Sequence, residues 1–447
     1  MPDADSSLCN AFSTPTGEAV TAAESHVIRL TERARNHRPA GRVEGVPQSV
    51  SAVGICGAGI MGTGIALVHL RQGVRVKLYD ASATALERAH AVLSREAARM
   101  VADRSADAEF QVGRNPELLD DCDLLIESVA ENRELKQRVF QQLAGRLGPH
   151  ALIATNTSTI RLADLVPAVP DARRFCGLHF CNPPTERSLV EIVRADGTST
   201  ATLTALVAYA LRLDKLPIVV CDRPGFLVNR VLLPYLNEAL EMFCQGIGLA
   251  EIDRAGRAFG MQLGPFELLD LIGIDTAMWA GRTLWEAFPS RITLTPVLPR
   301  LVKVGRLGRK TGCGFYQYPT ADGPAQPDPE LPALLAPYVR PQGALCDTQI
   351  IARLILPMLL EATRAIEENV VAHPADVDLG LLFGLAFPPS RGGLLYWADG
   401  VGAANILRLL QPLAPLGSRM EPPPLLRTLA ATGGRYYPAW EEESSDG

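Results

Sequence analysis

The apolar, β-branched run SAVGIC (51–56) leads directly into Gly57-Ala58-Gly59-Ile60-Met61-Gly62, and a helical pattern follows at once. A lone GxGxxG is weak evidence. A strand before it, a helix after it and an acidic residue at the end of the next strand together specify a dinucleotide-binding turn. That acidic residue is Asp80, which closes VRVKLYD 21 residues after Gly59. Gly57 permits the tight turn, Gly59 lets a pyrophosphate approach the backbone, and Gly62 lets helix and strand pack closely. Ile60 and Met61 complete the loop, and the helix N-terminus presents free N–H groups and a partial positive charge to the phosphates. Asp80 is suited to accept hydrogen bonds from two ribose hydroxyls and to repel a 2′-phosphate, so the expected cofactor is NAD rather than NADP. The plain alternative is a turn in which Asp80 only caps a helix.

The rest of the chain extends this unit. At 447 residues it is too long for one compact core. From Ser51 to about Cys221 the runs SAVGIC, VRVKLY, DLLIE, ALIAT, FCGLHF, LVEIV and PIVVC alternate with helical patterns. Apolar runs of this length separated by helices imply a largely parallel sheet covered on both faces. After Pro224 the strand signal gives way to apolar residues at three- and four-residue spacing, as in 226–244 and 251–260, which predicts helices. A Pro-rich stretch at 319–341 has the composition of a linker.

Beyond that stretch the helical region repeats itself. Arg230, Pro234, Glu238 and Ala239 match Arg353, Pro357, Glu361 and Ala362 at one constant offset. Ile252-Asp253 and Phe259-Gly260 match Val377-Asp378 and Phe383-Gly384 with small gaps. The expected organisation is an N-terminal connector, disordered at its start (1–48); an α/β Rossmann-type NAD-binding domain (49–223); a first all-α domain (224–320); a linker (321–346); and a second copy of the helical domain (347–440). Residues 1–16 read as disordered, and 18–36 as one helix before a Pro/Gly-rich stretch at 39–47.

Composition narrows the function classes. A net charge of −6 argues against nucleic acid as a main partner. The nine cysteines form no CxxC pair and no zinc-type spacing, so no metal site is expected and a reducing compartment suits them. No apolar run reaches the ~20 residues of a membrane helix. The N-terminus lacks a basic-then-apolar signal, which makes the cytoplasm the expected location.

Six of the seven histidines (His26, His37, His69, His90, His150 and His373) have ordinary contexts. His179 differs. It lies near the end of FCGLHF, before Cys181-Asn182-Pro183-Pro184, where the proline pair forces a turn. Strand ends of this kind are where ligands bind in open α/β sheets. Twelve residues on, Glu191 sits inside LVEIV, where burial of a carboxylate is costly without a partner. A neighbouring imidazole would be that partner: Glu191 would orient the ring and stabilise the imidazolium formed when His179 takes a proton. A satisfied core histidine and an edge-strand glutamate are the bland alternative. Asn156-Thr157-Ser158 brings a hydroxyl to the end of ALIAT, and PGFLVNR places Asn229 at the change from sheet to helices, able to hold a substrate oxygen.

Taken together, GAGIMGTGIA, AENRELK, NTST, HFCNP with LVEIV, PGFLVNR, GPFELLDLIGID and GRKTGCGFY resemble the 3-hydroxyacyl-CoA dehydrogenase family from about Ser51 to Tyr437. The duplicated tail, with PADVDLGLLFGLAFPPSRGG, is similar to the dehydrogenase half of the multifunctional fatty-acid-oxidation enzymes, without their enoyl-CoA hydratase domain. The resemblance implies that His179 is the base and Glu191 its partner, and that Ser158 and Asn229 surround the substrate oxygen. It also places Glu131 and Lys136 near the nicotinamide end, with Asn156 and Asn182 supporting the cofactor site. AENRELK read by residue type alone is equally a solvated helix start.

The implied reaction is NAD-dependent oxidation of an L-3-hydroxyacyl-CoA to the 3-ketoacyl-CoA, as in fatty-acid β-oxidation. The second helical copy has Ala352 where the first has Asn229, so one active site is expected. A tandem copy could satisfy the pairing surface of shorter relatives, which leaves monomer and homodimer both open. HFCNP carries Cys181 where relatives usually have Phe, PTERS replaces a hydrophobic and basic loop, and the stretch from Asp80 to Asp121 is short. These departures motivate an alternative, a biosynthetic dehydrogenase acting on a carrier-protein-bound hydroxyacyl group. An inert NAD-binding structural subunit is the third class, which the Ser158, His179, Glu191, Asn229 set argues against.

Overall fold

The computed structural model of the chain describes residues 11–36, 50–102, 109–320 and 323–437. They form two compact units, one built on a β-sheet (30–226 with 370–372) and one helical (11–29, 227–369 and 373–437). The stretch 39–47 and residues 1–10 lie outside the described residues.

The sheet unit holds eight strands in the order β3-β2-β1-β4-β5-β6-β7-β8. They are β1 (Ala52–Cys56), β2 (Arg75–Tyr79), β3 (Phe110–Gly113), β4 (Leu124–Glu127), β5 (Leu152–Thr155), β6 (Phe175–Phe180), β7 (Leu189–Arg194) and β8 (Leu216–Cys221). Pairing is parallel from β3 to β6, and β7 turns antiparallel to β6 while β8 runs parallel to β7. Seven strands coincide with the apolar runs. The eighth, β3, is FQVG on the sheet edge, only part-buried and too short and polar to announce itself.

Val53, Ile55, Leu78, Leu124, Ile126, Leu152 and Ile192 are wholly buried, as expected of a sheet covered on both faces. In chain order, α1 (Glu18–Asn36) precedes the sheet, and its covering helices are α2 (Ile60–Arg71), α3 (Ala83–Ala102), α4 (Arg133–Leu143) and α5 (Thr200–Arg212). Among the described residues between β2 and β3 there is one helix, α3.

The helical unit contains α6 (Val228–Cys244), α7 (Leu249–Phe259), α8 (Pro265–Ile272), α9 (Ile274–Ala287), α10 (Val297–Lys303), α11 (Leu331–Leu335), α12 (Asp347–Glu367), α13 (Pro374–Gly384), α14 (Leu394–Val401), α15 (Ala403–Leu410) and α16 (Pro424–Thr432). Two expectations are corrected here. The stretch 321–346 is not a loose linker over its described residues: Leu331 and Leu335 of α11 are buried, and Asp328 is ion-paired with Arg306. Residues 11–16, expected as disordered, are ordered. Phe12 is buried, with its ring 5.7 Å from Trp397 and 6.3 Å from Phe259, and Arg391 donates to the Phe12 and Ser13 carbonyls. Aromatic burial of that kind outweighs the ordering entropy of a short segment, and composition alone does not register it.

Helices α6 and α12 pack together through reciprocal ion pairs. Arg230 Nε donates to Glu361 at 2.7 Å, and Arg353 Nη2 donates to Glu238 at 2.9 Å. Two hydrogen-bonded cages recur in the unit. Asp253 accepts from Phe266 N–H and the Tyr316 hydroxyl, and Asp378 accepts from Leu395 N–H and the Tyr437 hydroxyl. Asp270 accepts from the Phe315 and Tyr316 amides, and Asp399 from those of Tyr436 and Tyr437. Gly264 and Gly393 lie against Asp253 and Asp378 so closely that a Cβ on either would meet the carboxylate at 2.3 Å. No helix among the described residues is long and apolar enough to cross a membrane.

Candidate active site

The glycine loop has the form a dinucleotide requires. Gly57 adopts φ +113°, and a Cβ there would strike the Ser128 carbonyl. A Cβ on Gly62 would fall 1.8 Å from the Gly57 carbonyl oxygen, so only glycine allows this helix so close to the strand. Gly59 faces open space instead, and no side chain caps the N-terminus of α2. Ile60 is exposed and Met61 part-buried beside it. Open, uncapped amides at a helix start fit a pyrophosphate. Asp80 follows β2 and accepts from Ala58 N–H at 2.7 Å through Oδ2 and from Ser82 N–H at 2.8 Å through Oδ1. It therefore both caps locally and ties the loop to the second strand. Each carboxylate oxygen retains a second acceptor site for a ribose hydroxyl. The residues present fit NAD.

On the other half of the sheet, His179 and Glu191 are direct partners across the antiparallel β6–β7 pair. His179 Nδ1 stands 2.7 Å from Glu191 Oε2, with both residues buried. A carboxylate accepts only, so the ring proton is assigned to Nδ1, which leaves Nε2 as the basic nitrogen. The Phe226 ring lies 5.8 Å from the imidazole. Asn156 accepts from Phe180 N–H at 2.9 Å, so it fixes the end of the strand that carries His179. Asn182 is exposed in the turn beyond. Burial pushes the thiol of adjacent Cys181 far up, which keeps it protonated.

The AENRELK and NTST segments meet at Glu131. Its Oε1 accepts from the Thr157 hydroxyl at 2.6 Å, the Ser158 amide at 2.9 Å, and the Thr159 amide and hydroxyl at 3.0 Å each. The Ser158 hydroxyl is 3.3 Å away. Burial alone would raise this carboxyl, but the Lys136 ammonium, the Thr157 hydroxyl and the two backbone amides prevail and hold it at about 2. Glu131 is thus a fixed anion that locks the Ser158 loop. Lys136 lies 3.3 Å from Glu131 and 2.7 Å from Glu127.

Glu127 escaped the sequence reading. It is wholly buried and accepts from Lys136, the Thr155 hydroxyl and Val129 N–H, each at 2.7 Å. The available signal was the acidic end of the buried run DLLIE, since a carboxylate there requires donors. Thr155, Thr157 and Thr159 were missed for a simpler reason: hydroxyls are common at strand ends. Asn229 stands in the first turn of α6, in the helical unit, and is part-buried. No group of three or more His, Cys, Asp or Glu among the described residues is placed to hold a metal ion.

Residues 52–223 match the family model for the 3-hydroxyacyl-CoA dehydrogenase NAD binding domain, and residues 225–318 match that for the C-terminal domain of the same family. The structure is similar to 3-hydroxybutyryl-CoA dehydrogenase from Escherichia coli, with a TM-score of 0.72 and 27% identity over 86% of this chain and 99% of that one. It is also similar to (S)-3-hydroxybutyryl-CoA dehydrogenase from Ralstonia eutropha, with a TM-score of 0.55 and 34% identity over 60% of this chain and 99% of that one. The dehydrogenase part of multifunctional enzyme 1 from C. elegans has a TM-score of 0.61 and covers 94% of this chain and 98% of its own; at 23% identity it speaks to the fold alone. With a glycine loop and acidic strand end fitted to NAD, and both family domains in order, the chain is an NAD-dependent dehydrogenase and belongs to the 3-hydroxyacyl-CoA dehydrogenase family.

Proposed function

We propose that the chain oxidises an L-3-hydroxyacyl-CoA to the corresponding 3-ketoacyl-CoA, with His179 as the base. The observation that carries this reading is the 2.7 Å contact between His179 Nδ1 and Glu191. With that nitrogen bonded to a carboxylate, Nε2 removes the proton of the substrate's C3 hydroxyl, and Glu191 stabilises the imidazolium that results. Bound NAD supplies the hydride acceptor. The Ser158 hydroxyl, on a loop fixed by Glu131, holds the substrate oxygen in this reading. Asn156 and Asn182 support the cofactor site in this reading, while Lys136 keeps Glu131 and Glu127 in place. A positioned base contributes about 10²–10⁴ in rate.

The helical region reads as two copies of one domain, 224–320 and 347–440. Supporting this are the reciprocal Arg230–Glu361 and Arg353–Glu238 pairs and the matched cages around Asp253 and Asp378. In such a chain the second copy covers the surface that would otherwise pair two chains, which favours a monomer over a homodimer.

The test is NADH absorbance with purified protein, NAD and L-3-hydroxyacyl-CoAs from short to long. Turnover that falls at least a hundredfold in His179→Ala, with NAD binding retained, is the expected result. No turnover on any CoA substrate would overturn it, and turnover of a carrier-protein-bound hydroxyacyl group in its place would establish that alternative. The short stretch from Asp80 to Asp121 is the feature that favours trying the carrier-bound substrate second.

A further inference from the structure

In the sheet unit, Lys215 immediately precedes β8 and is 7% exposed. Its ammonium donates to the Pro184 carbonyl at 2.7 Å and to the Arg187 carbonyl at 2.8 Å. Taking an ammonium out of water is costly, and burial lowers the pKa of this one. An apolar side chain would fill the same space at less cost, so what a lysine adds is the pair of charged hydrogen bonds. Both carbonyls belong to the turn that joins β6 to β7. That turn starts just beyond His179 and ends just before Glu191, so its placement is passed to both.

The same turn rests on the helix that follows the glycine loop. Pro184 is buried, and a Cβ built on Gly64 of α2 would lie 3.1 Å from both its Cδ and its Cγ. Glycine at this position lets α2 approach the turn more closely than any side chain would allow. Farther along α2 the His69 ring lies 6.1 Å from the ring of Phe180, the last residue of β6. Within the turn, the Pro183 carbonyl accepts from the Glu186 and Arg187 amides at 3.1 and 3.0 Å, and Leu216 N–H donates to the Ser188 carbonyl at 2.8 Å. The turn is thus folded on itself, fastened to β8, gripped by Lys215 and seated on Gly64.

We propose that Lys215 is a positioning residue: by holding the β6–β7 turn on Gly64, it sets the separation between His179 and the nicotinamide of bound NAD. This inference rests on the proposed role of His179 as the base. The imidazole is carried by β6 and the glycine loop by the start of α2, and the Pro184–Gly64 contact joins the two. A misplacement of about 1 Å between reacting groups costs roughly a hundredfold in rate, so a tether acting only through a turn reaches the chemistry.

The test uses Lys215→Met, Gly64→Ala and the double variant, each read by single-turnover NADH formation at saturating NAD and hydroxyacyl-CoA. The amplitude counts correctly folded enzyme, while the rate constant reads how well base and cofactor are placed. Lys215→Met lowers the rate constant at least about tenfold, with NADH affinity by fluorescence titration changed less than about threefold. Gly64→Ala lowers it at least about fivefold beside Lys215 but less than about twofold in Lys215→Met, because a released turn yields to the methyl group. A loss of amplitude with an unchanged rate constant makes Lys215 merely structural and overturns the proposal. Losses that multiply independently in the double variant overturn it too. If Lys215→Met does not fold, Gly64→Ala decides: the slower rate constant upholds the seat, and an unchanged one overturns it. If the wild type oxidises no hydroxyacyl-CoA, the hydroxyacyl-CoA reading falls and hydrogen exchange of residues 181–189 in the NADH-bound protein judges the tether. Exchange at least about tenfold faster in Lys215→Met upholds it, and equal exchange overturns it.

Discussion

Lys136 donates to Glu127 at 2.7 Å, and the two side chains are 1% and 0% exposed. A buried pair of this kind is satisfied only as a set, because the Thr155 hydroxyl and Val129 N–H complete the carboxylate's shell. It anchors the start of α4 to the end of β4, and Glu131 lies between them on the connecting turn. Removing one partner leaves a charge buried without compensation. Lys136→Met is expected to lower unfolding stability by about 3–5 kcal/mol, while Glu127→Gln/Lys136→Met loses less than the sum of the single variants. Denaturant unfolding of the four proteins checks this; additive losses would mean the pair is not coupled.

Glu191→Gln retains an acceptor for His179 Nδ1 and removes the charge. A hydrogen bond to a charged group is worth about 1.5–3 kcal/mol, so kcat is expected to fall roughly ten- to 150-fold with KM little changed. Steady-state kinetics on the best hydroxyacyl-CoA tests it. A loss confined to KM would remove Glu191 from the proton-transfer step.

Asp80 holds the glycine loop through Ala58, and we propose that it also holds the ribose of bound NAD. Asp80→Asn is expected to weaken NADH at least tenfold and to narrow the gap between NADH and NADPH, since the negative charge facing a 2′-phosphate is gone. Fluorescence titration with both cofactors measures the two affinities. An unchanged ratio would assign Asp80 to loop capping alone.

His26, on α1, is stacked on Tyr396 at 4.1 Å and meets the edge of Tyr437 at 4.8 Å. Burial, with a smaller contribution from the Arg29 charge, lowers its pKa from 6.5 to about 4. A base whose folded pKa is depressed favours the folded state above its unfolded pKa. That contribution, on the order of 3 kcal/mol, is complete above about pH 6.5 and is lost as pH falls toward 4. Hydrogen exchange of residues 18–29 is therefore expected to accelerate between pH 6.5 and 4, beyond the intrinsic rate change, and His26→Phe should abolish that extra acceleration. Identical profiles in the two proteins would dismiss His26 as its source.

Local chemistry announced much of this. GAGIMG needs glycine where a Cβ would strike Ser128 or Gly57, and such requirements are readable one residue at a time. Seven apolar runs became strands and the apolar spacing beyond Pro224 became helices, because period and burial are local consequences of a covered sheet and a packed helix face. The pairing of His179 with Glu191 was foreseeable as well, since a carboxylate in LVEIV requires a partner.

Other features depended on long-range contacts. The reversal of β7 sets His179 opposite Glu191 in register, and nothing in either strand dictates its neighbour's direction. Glu127 and Thr155 are separated in sequence and meet only because β4 and β5 lie side by side. Phe12 and Leu335 belong to segments whose composition suggested disorder and a linker, and both are buried by aromatic and aliphatic surfaces contributed from elsewhere in the chain. The sequence by itself determined the cofactor loop and most of the element types, because each depends on residues close together along the chain. Only the tertiary structure decided which strand ran backward and which carboxylates were buried against which donors, because those outcomes depend on packing between distant segments.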